Sequence, residues 1–148
     1  SRSDLVDKFG KAGHYFFEVV NGLDRRPVVS HRVRKSIGAE RTFMVDKTSF
    51  EALHESLLLI AQEVGTRVIG LGASGRTVTL KIKFSDFNQI TRSHSSALPL
   101  TDYESISTTA GYLLQQVFVA GMKVRLLGVT LSNLEQQQPS ALQMSLDF

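Results

Sequence analysis

From residue 77 to residue 85 the chain alternates without a fault. Thr77, Thr79, Lys81, Lys83 and Ser85 fall on one side, and Val78, Leu80, Ile82 and Phe84 on the other. A period of two is the side-chain repeat of a β-strand. The segment is therefore predicted to be a strand with one face buried and the other basic and hydroxylated. Such a strand cannot stand alone. It needs neighbours to complete its hydrogen-bond ladder and an apolar layer against Val78, Leu80 and Ile82.

Two segments offer that layer. Across residues 47–69, Phe50, Leu53, Leu57, Ala61, Val64 and Val68 recur at helical spacing, and Thr48-x-x-Glu51 reads as a capping box. A second helix is expected to start at a similar box, Thr101-x-x-Glu104, to bury Ile106, Ala110, Leu113 and Val117, and to end at Gly121. Three further strands are expected, at residues 34–43, at 89–96 after the turn Asp86-Phe87-Asn88, and at 124–131. In the last of these the alternation slips near Leu126-Leu127-Gly128, which suggests a bulge. The order βαββαβ predicts an α+β fold, a four-stranded antiparallel sheet with two helices on one face, preceded by a short helical segment. The uncovered face would then present Ser36, Thr42, Thr79, Lys81, Lys83, Thr91 and Ser93. Alternation sends Arg92 to the covered side, so it has to sit at an edge or across a bulge.

Before residue 24, Leu5, Val6 and Phe9 form a short helical stripe. Gly10-Lys11-Ala12-Gly13 then turns into a second helix from His14 to Val20, stopped at Asn21-Gly22. Residues 24–33, with Pro27 and no apolar period, read as an extended linker. After residue 134 the run Glu135-Gln136-Gln137-Gln138-Pro139-Ser140 has too little apolar surface to order itself and is expected to be a flexible tail. Four segments follow: helices at 1–23, a linker at 24–33, a domain at 34–134 and a tail at 135–148. The start, Ser1-Arg2-Ser3-Asp4, has neither a Met nor targeting character and is expected to belong to a fragment of something longer.

The charge of +3 is unevenly spread. Residues 25–41 and 76–92 together hold 10 of the 17 Lys and Arg but only 2 of the 14 acids, namely Glu40 and Asp86. Arg34, Lys35, Arg76 and Arg92 lie in these stretches beside Lys81 and Lys83. That segregation predicts a positive face suited to a polyanion, where Lys neutralises phosphate and hydroxyls hydrogen-bond to it. Without cysteine, disulfides, thiolate metal sites and thiol nucleophiles are excluded. The longest apolar run, residues 57–61, is far short of a membrane span, so a soluble, non-membrane chain is expected. His14, His31, His54 and His94 are dispersed without metal-ligand spacing, and Glu51 and Glu55 read as a solvated helix pair. No enzyme emerges from these residues alone.

Several strings together are more specific. Phe9-Gly10-Lys11-x-Gly13, Asn21-Gly22-x-Asp24-x-Arg26-Pro27, Arg34-Lys35-Ser36-Ile37-Gly38-x-Glu40-x-Thr42-Phe43, residues 77–87, Ile90-Thr91-Arg92-Ser93 and Arg125-Leu126-Leu127-Gly128-Val129 resemble, in order, the C-terminal part of Y-family translesion DNA polymerases of the DNA polymerase IV branch. The tail Gln143-Met144-x-Leu146-x-Phe148 resembles the peptide by which bacterial DNA-metabolic proteins bind the sliding clamp; a tail folded back on its own domain remains the alternative. The resemblance implies that residues 1–23 end a thumb domain and that residues 34–134 form a little finger domain laid along primer-template duplex. DNA contacts would fall to Lys35, Ser36, Lys81, Lys83, Thr91, Arg92 and Ser93, with Gly10, Lys11 and Gly13 in the thumb. Arg34, Thr42, Arg76 and Thr79 join this set from the basic stretches and the open face. The implied partners are duplex DNA and the bacterial β clamp in the cytoplasm. The metal-binding carboxylates of such a polymerase, which use magnesium, match nothing here, so this segment should carry no cofactor and should not polymerise.

Two other readings fit the element order. A stand-alone RNA-binding module of ferredoxin-like topology would need outward aromatics for base stacking, which Lys81-Ile82-Lys83-Phe84-Ser85-Asp86-Phe87 does not supply because Phe84 points inward. A protein-interaction domain would turn the same basic face to an acidic partner, with weak salt dependence toward DNA setting it apart.

Overall fold

The computed structural model describes residues 1–28 and 33–136, and the chain divides into two compact units, Ser1–Val33 and Arg34–Phe148. In the first unit, helices α1 (Arg2–Phe9) and α2 (Ala12–Val20) are joined at Gly10, whose φ of +58° is a left-handed conformation that glycine adopts without strain. Gly13 is not part of the turn, as the sequence suggested, but lies in the first turn of α2 and is buried. A Cβ there would sit 2.3 Å from the Leu5 carbonyl oxygen, so only glycine lets the two helices approach this closely. Phe9 and Phe16 meet edge to face at 5.3 Å between ring centroids. Beyond α2, Arg26 stacks over Tyr15 and pairs with Asp24, whose carboxyl it holds down to about 2.

The second unit contains β1 (Ser36–Lys47), α3 (Phe50–Gly70), β2 (Ala73–Phe84), β3 (Gln89–Leu100), α4 (Tyr103–Val117) and β4 (Val124–Gln136). The strands form one sheet in the order β1-β4-β2-β3, every neighbouring pair antiparallel. This is the α+β, four-stranded architecture the alternation and helical stripes required. Helices α3 and α4 cover one face, where Leu53, Leu57, Ile60, Val64, Ile106, Ala110 and Leu114 pack with Val78, Leu80, Ile82, Leu127, Val129 and Leu131. The helices lie close together: a Cβ on Gly65 of α3 would be 2.9 Å from Tyr103 Cα of α4.

Element ends depart from expectation in small ways with local causes. Ser49, not Thr48, caps α3, accepting a hydrogen bond from the Ala52 N–H at 3.2 Å. Asp102, not Thr101, caps α4, accepting from the Ser105 N–H at 2.8 Å. In each case two adjacent residues could cap, and the one directly before the first helical residue does so, with an extended backbone. Helix α4 stops at Val117, before Gly121, because Phe118 turns extended and joins the core. The bulge in β4 falls at Arg125, just before the expected place, since Lys83 pairs with Leu126 and Phe84 with Val124. The β2–β3 turn forms as expected, with the Asn88 N–H donating to Asp86 Oδ1 at 3.0 Å and Phe87 at φ +68°.

Candidate nucleic-acid interface

On the side away from the helices, the strand register arranges side chains in four rows that run across the sheet. Thr42, Leu126, Lys83 and Gln89 make one; Glu40, Gly128, Lys81 and Thr91 the next; then Gly38, Thr130, Thr79 and Ser93; then Ser36, Ser132, Thr77 and Ser95. Hydroxyls dominate, Leu126 is the one apolar side chain, and glycines keep the middle low. Thr77 meets Ser95 and Thr79 meets Ser93, each pair 2.8 Å between oxygens, while Asn133 Nδ2 donates to Thr77 at 2.8 Å. A hydroxyl that spends its proton on a neighbour still has lone pairs, and its partner keeps a proton to give, so this lattice can turn donors outward.

The cations on this face are of two kinds. Lys81 Nζ lies 2.9 Å from Glu40 Oε2. Lys83, by contrast, has no carboxylate within ion-pair distance among the described residues. Its ammonium sits 5.2 Å from the centre of the Phe87 ring, and the Arg125 guanidinium lies 4.9 Å from the same ring. The exposed Phe87 ring thus has two cations against it at one end of the open face. That concentration of positive potential is what a phosphate would relieve.

A family model described as the impB/mucB/samB family C-terminal domain matches residues 34–146. The chain belongs to this family. Among its relatives, DNA polymerase IV 2 of Agrobacterium fabrum is 44% identical over 134 residues, 90% of this chain and 38% of the relative. DNA polymerase IV of Gluconobacter oxydans is 39% identical over 145 residues, covering 97% of this chain and 41% of the relative. The chain therefore spans about two fifths of the length of these relatives, in keeping with the resemblance read from its sequence. Among solved structures, one described as a complex of the β-clamp processivity factor and the little finger domain of PolIV matches with a TM-score of 0.54 at 24% identity, over 75% of this chain and 99% of that one. An insertion ternary complex of Dbh DNA polymerase matches with a TM-score of 0.60 at 17% identity, over 92% of this chain and 39% of that one. At these identities the likeness establishes the shared fold.

Within this impB/mucB/samB C-terminal domain, Ser36, Thr42, Thr79, Lys81, Lys83, Thr91 and Ser93 share the open face, as alternation required. Arg34 and Lys35 precede the first strand and are exposed. Arg76 is engaged within the domain, since its Nε donates to Glu135 Oε1 at 2.6 Å and its guanidinium also reaches the Ala97 carbonyl. It ties β2 to the end of β4, and its charge is matched. Arg92 pairs in register with Leu80 and so leaves the open face for the helix-covered side. It is tolerated there because β3 is an edge strand, and it donates to the Thr91 carbonyl at 2.9 Å. Gly10, Lys11 and Gly13 belong to the other unit, where Gly10 and Gly13 have the conformational and packing roles described above. The tail residues Gln143, Met144, Leu146 and Phe148 lie outside the described residues. Arg125 was missed by the sequence reading, since strict alternation gave it to the covered side. The slip of pattern at Leu126-Leu127 was the signal that its aim would change. Among the described residues no three His, Asp or Glu side chains converge as a metal site would need, so they do not fit the metal of a polymerase palm.

Proposed function

We propose that this chain is the duplex-holding and clamp-docking part of a translesion DNA polymerase resembling DNA polymerase IV. The observation that carries the first half is the open face itself, a hydroxyl lattice with Lys83 and Arg125 gathered round Phe87 and no aromatic in its four rows. Hydroxyls and cations of this kind grip phosphate oxygens, which position a duplex without reading its sequence. A sheet of four strands at about 4.8 Å spacing presents a surface roughly 15–20 Å wide, comparable to a duplex. Gly10, Lys11 and Gly13 would add a thumb contact to the same primer-template.

The reading assigns residues 1–23 to the end of the thumb and residues 34–134 to the little finger. Nucleotidyl transfer and its magnesium belong to domains carrying the metal-binding carboxylates, and this part raises their hold on DNA by tethering a second contact. The clamp half rests on the tail pattern Gln143-x-x-Leu146-x-Phe148 and on a similar fold having been solved with a β clamp. Leu146 and Phe148 would fill an apolar pocket while Gln143 makes polar contacts and Met144 adapts to the rim. A bacterial cytoplasm is the compartment this role implies, and no helix among the described residues is long and apolar enough to cross a membrane.

An RNA-binding platform is less well supported. Phe84 packs against the core, leaving Phe87 at the hairpin tip as the exposed ring. Titrating the 148-residue chain into labelled duplexes of unrelated sequence tests the proposal. Similar affinities that fall steeply with salt are expected. Salt-independent binding would point instead to a protein partner for the face.

A further inference from the structure

We propose that Glu40 is a built-in counter-ion that occupies Lys81 and holds this domain's grip on duplex DNA below what its lysines would otherwise give. The inference rests on the DNA-binding reading and deepens it. Glu40 and Lys81 lie on β1 and β2, which are not neighbours, because β4 runs between them. Adjacent strands are about 4.8 Å apart, so their backbones are separated by roughly 10 Å. The two side chains nevertheless meet at 2.9 Å. They can do so because the residue between them in the row is Gly128, where an added Cβ would lie 3.0 Å from Glu40 Cβ.

Glu40 is the one carboxylate in the four rows of the open face, and from the edge strand β1 it reaches across Gly128 to the lysine on the inner strand β2. A phosphate arriving at Lys81 meets the carboxylate as well. Either it shares the ammonium with a like charge or it displaces Glu40, and in both cases the gain of a new ion pair is cancelled. The pair therefore releases no net counterion, whereas Lys83, one row away and free of carboxylates among the described residues, releases its own. The phosphate track is thereby directed toward the Lys83 and Arg125 end of the sheet, and the centre of the face stays near neutral.

The test is the salt dependence of duplex binding by the 148-residue chain, read by fluorescence anisotropy on a labelled 20-base-pair duplex. Glu40→Gln keeps the shape and frees Lys81. The log–log salt slope should steepen by about 0.9 and binding at 0.1 M salt should tighten about eightfold, the worth of one phosphate contact. Lys81→Ala in the natural background should leave the slope unchanged, and in the Glu40→Gln background it should erase the gain. If Lys81→Ala alone flattens the slope by about 0.9 while Glu40→Gln does nothing, Lys81 reaches phosphate freely and the inference is wrong. Should Glu40→Gln fail to fold by circular dichroism, the slope of Lys81→Ala decides alone. Natural chain that binds no duplex at any salt overturns both this inference and the function it rests on; salt-dependent binding with Glu40 inert overturns this inference only.

Discussion

Removing Lys83 and Arg125 together should show how this face holds DNA. Four cations near the open face or at the start of β1 have no carboxylate partner among the described residues: Arg34, Lys35, Lys83 and Arg125. Lys81 is matched by Glu40 and Arg76 by Glu135. At about 0.9 per neutralised phosphate, these four contacts contribute roughly −3.6 to the log–log salt slope. The double change Lys83→Ala/Arg125→Ala should bring this to about −1.8 and weaken binding at 0.1 M salt about 60-fold. The loss should be the same for duplexes of different sequence, because phosphate contacts carry no base information. Neither side chain belongs to the buried core, so thermal unfolding should move little. Anisotropy titrations between 50 and 300 mM salt on two unrelated duplexes measure both quantities. An unchanged slope would mean that DNA, if it binds, lies elsewhere, and a loss that depends on sequence would mean the two cations read bases.

Three other outcomes are expected. A fluorescent peptide of residues 136–148 should bind a bacterial β clamp with micromolar affinity, since burying two large side chains is worth about 3–6 kcal/mol before ordering costs; Leu146→Ala/Phe148→Ala should abolish it, and identical isotherms would remove the clamp from the proposal. Asp102→Ala should cost about 1 kcal/mol at neutral pH by urea unfolding. The Ser105 N–H holds the Asp102 carboxyl below its ordinary 3.8, so this contribution is fully present above that pH and is lost as pH falls through the lower folded value. The gap between natural chain and variant should therefore close only in that acid range, and a gap that persists there would show the cap acts without its charge. Gly65→Ala should destabilise the second unit by about 1–3 kcal/mol, because the new methyl meets Tyr103 backbone atoms that cannot swing aside; unchanged urea unfolding would show that α3 and α4 separate at little cost.

What the sequence determined by itself was whatever depends on neighbours a few residues apart. The alternation of residues 77–84 placed Lys81 and Lys83 opposite Val78, Leu80 and Ile82, and the same parity sent Arg92 to the covered side. The stripe from Leu53 to Val68 marked the buried face of α3, and Asp86-Phe87-Asn88 marked the β2–β3 turn. These follow from backbone periods of 3.6 and 2, which hold whatever the rest of the chain does. The choice between adjacent caps, Ser49 over Thr48 and Asp102 over Thr101, followed from where each helix begins, at Phe50 and at Tyr103. Tertiary structure alone put β4 between β1 and β2, and with it the meeting of Glu40 and Lys81 over Gly128, 41 residues apart in the chain. It likewise joined Arg76 to Glu135, 59 residues away, and let the β4 bulge bring Arg125 beside Lys83 and Phe87. Composition marks the open face as basic, but whether each charge is free or matched depends on which strand lies beside which, and no local period records that.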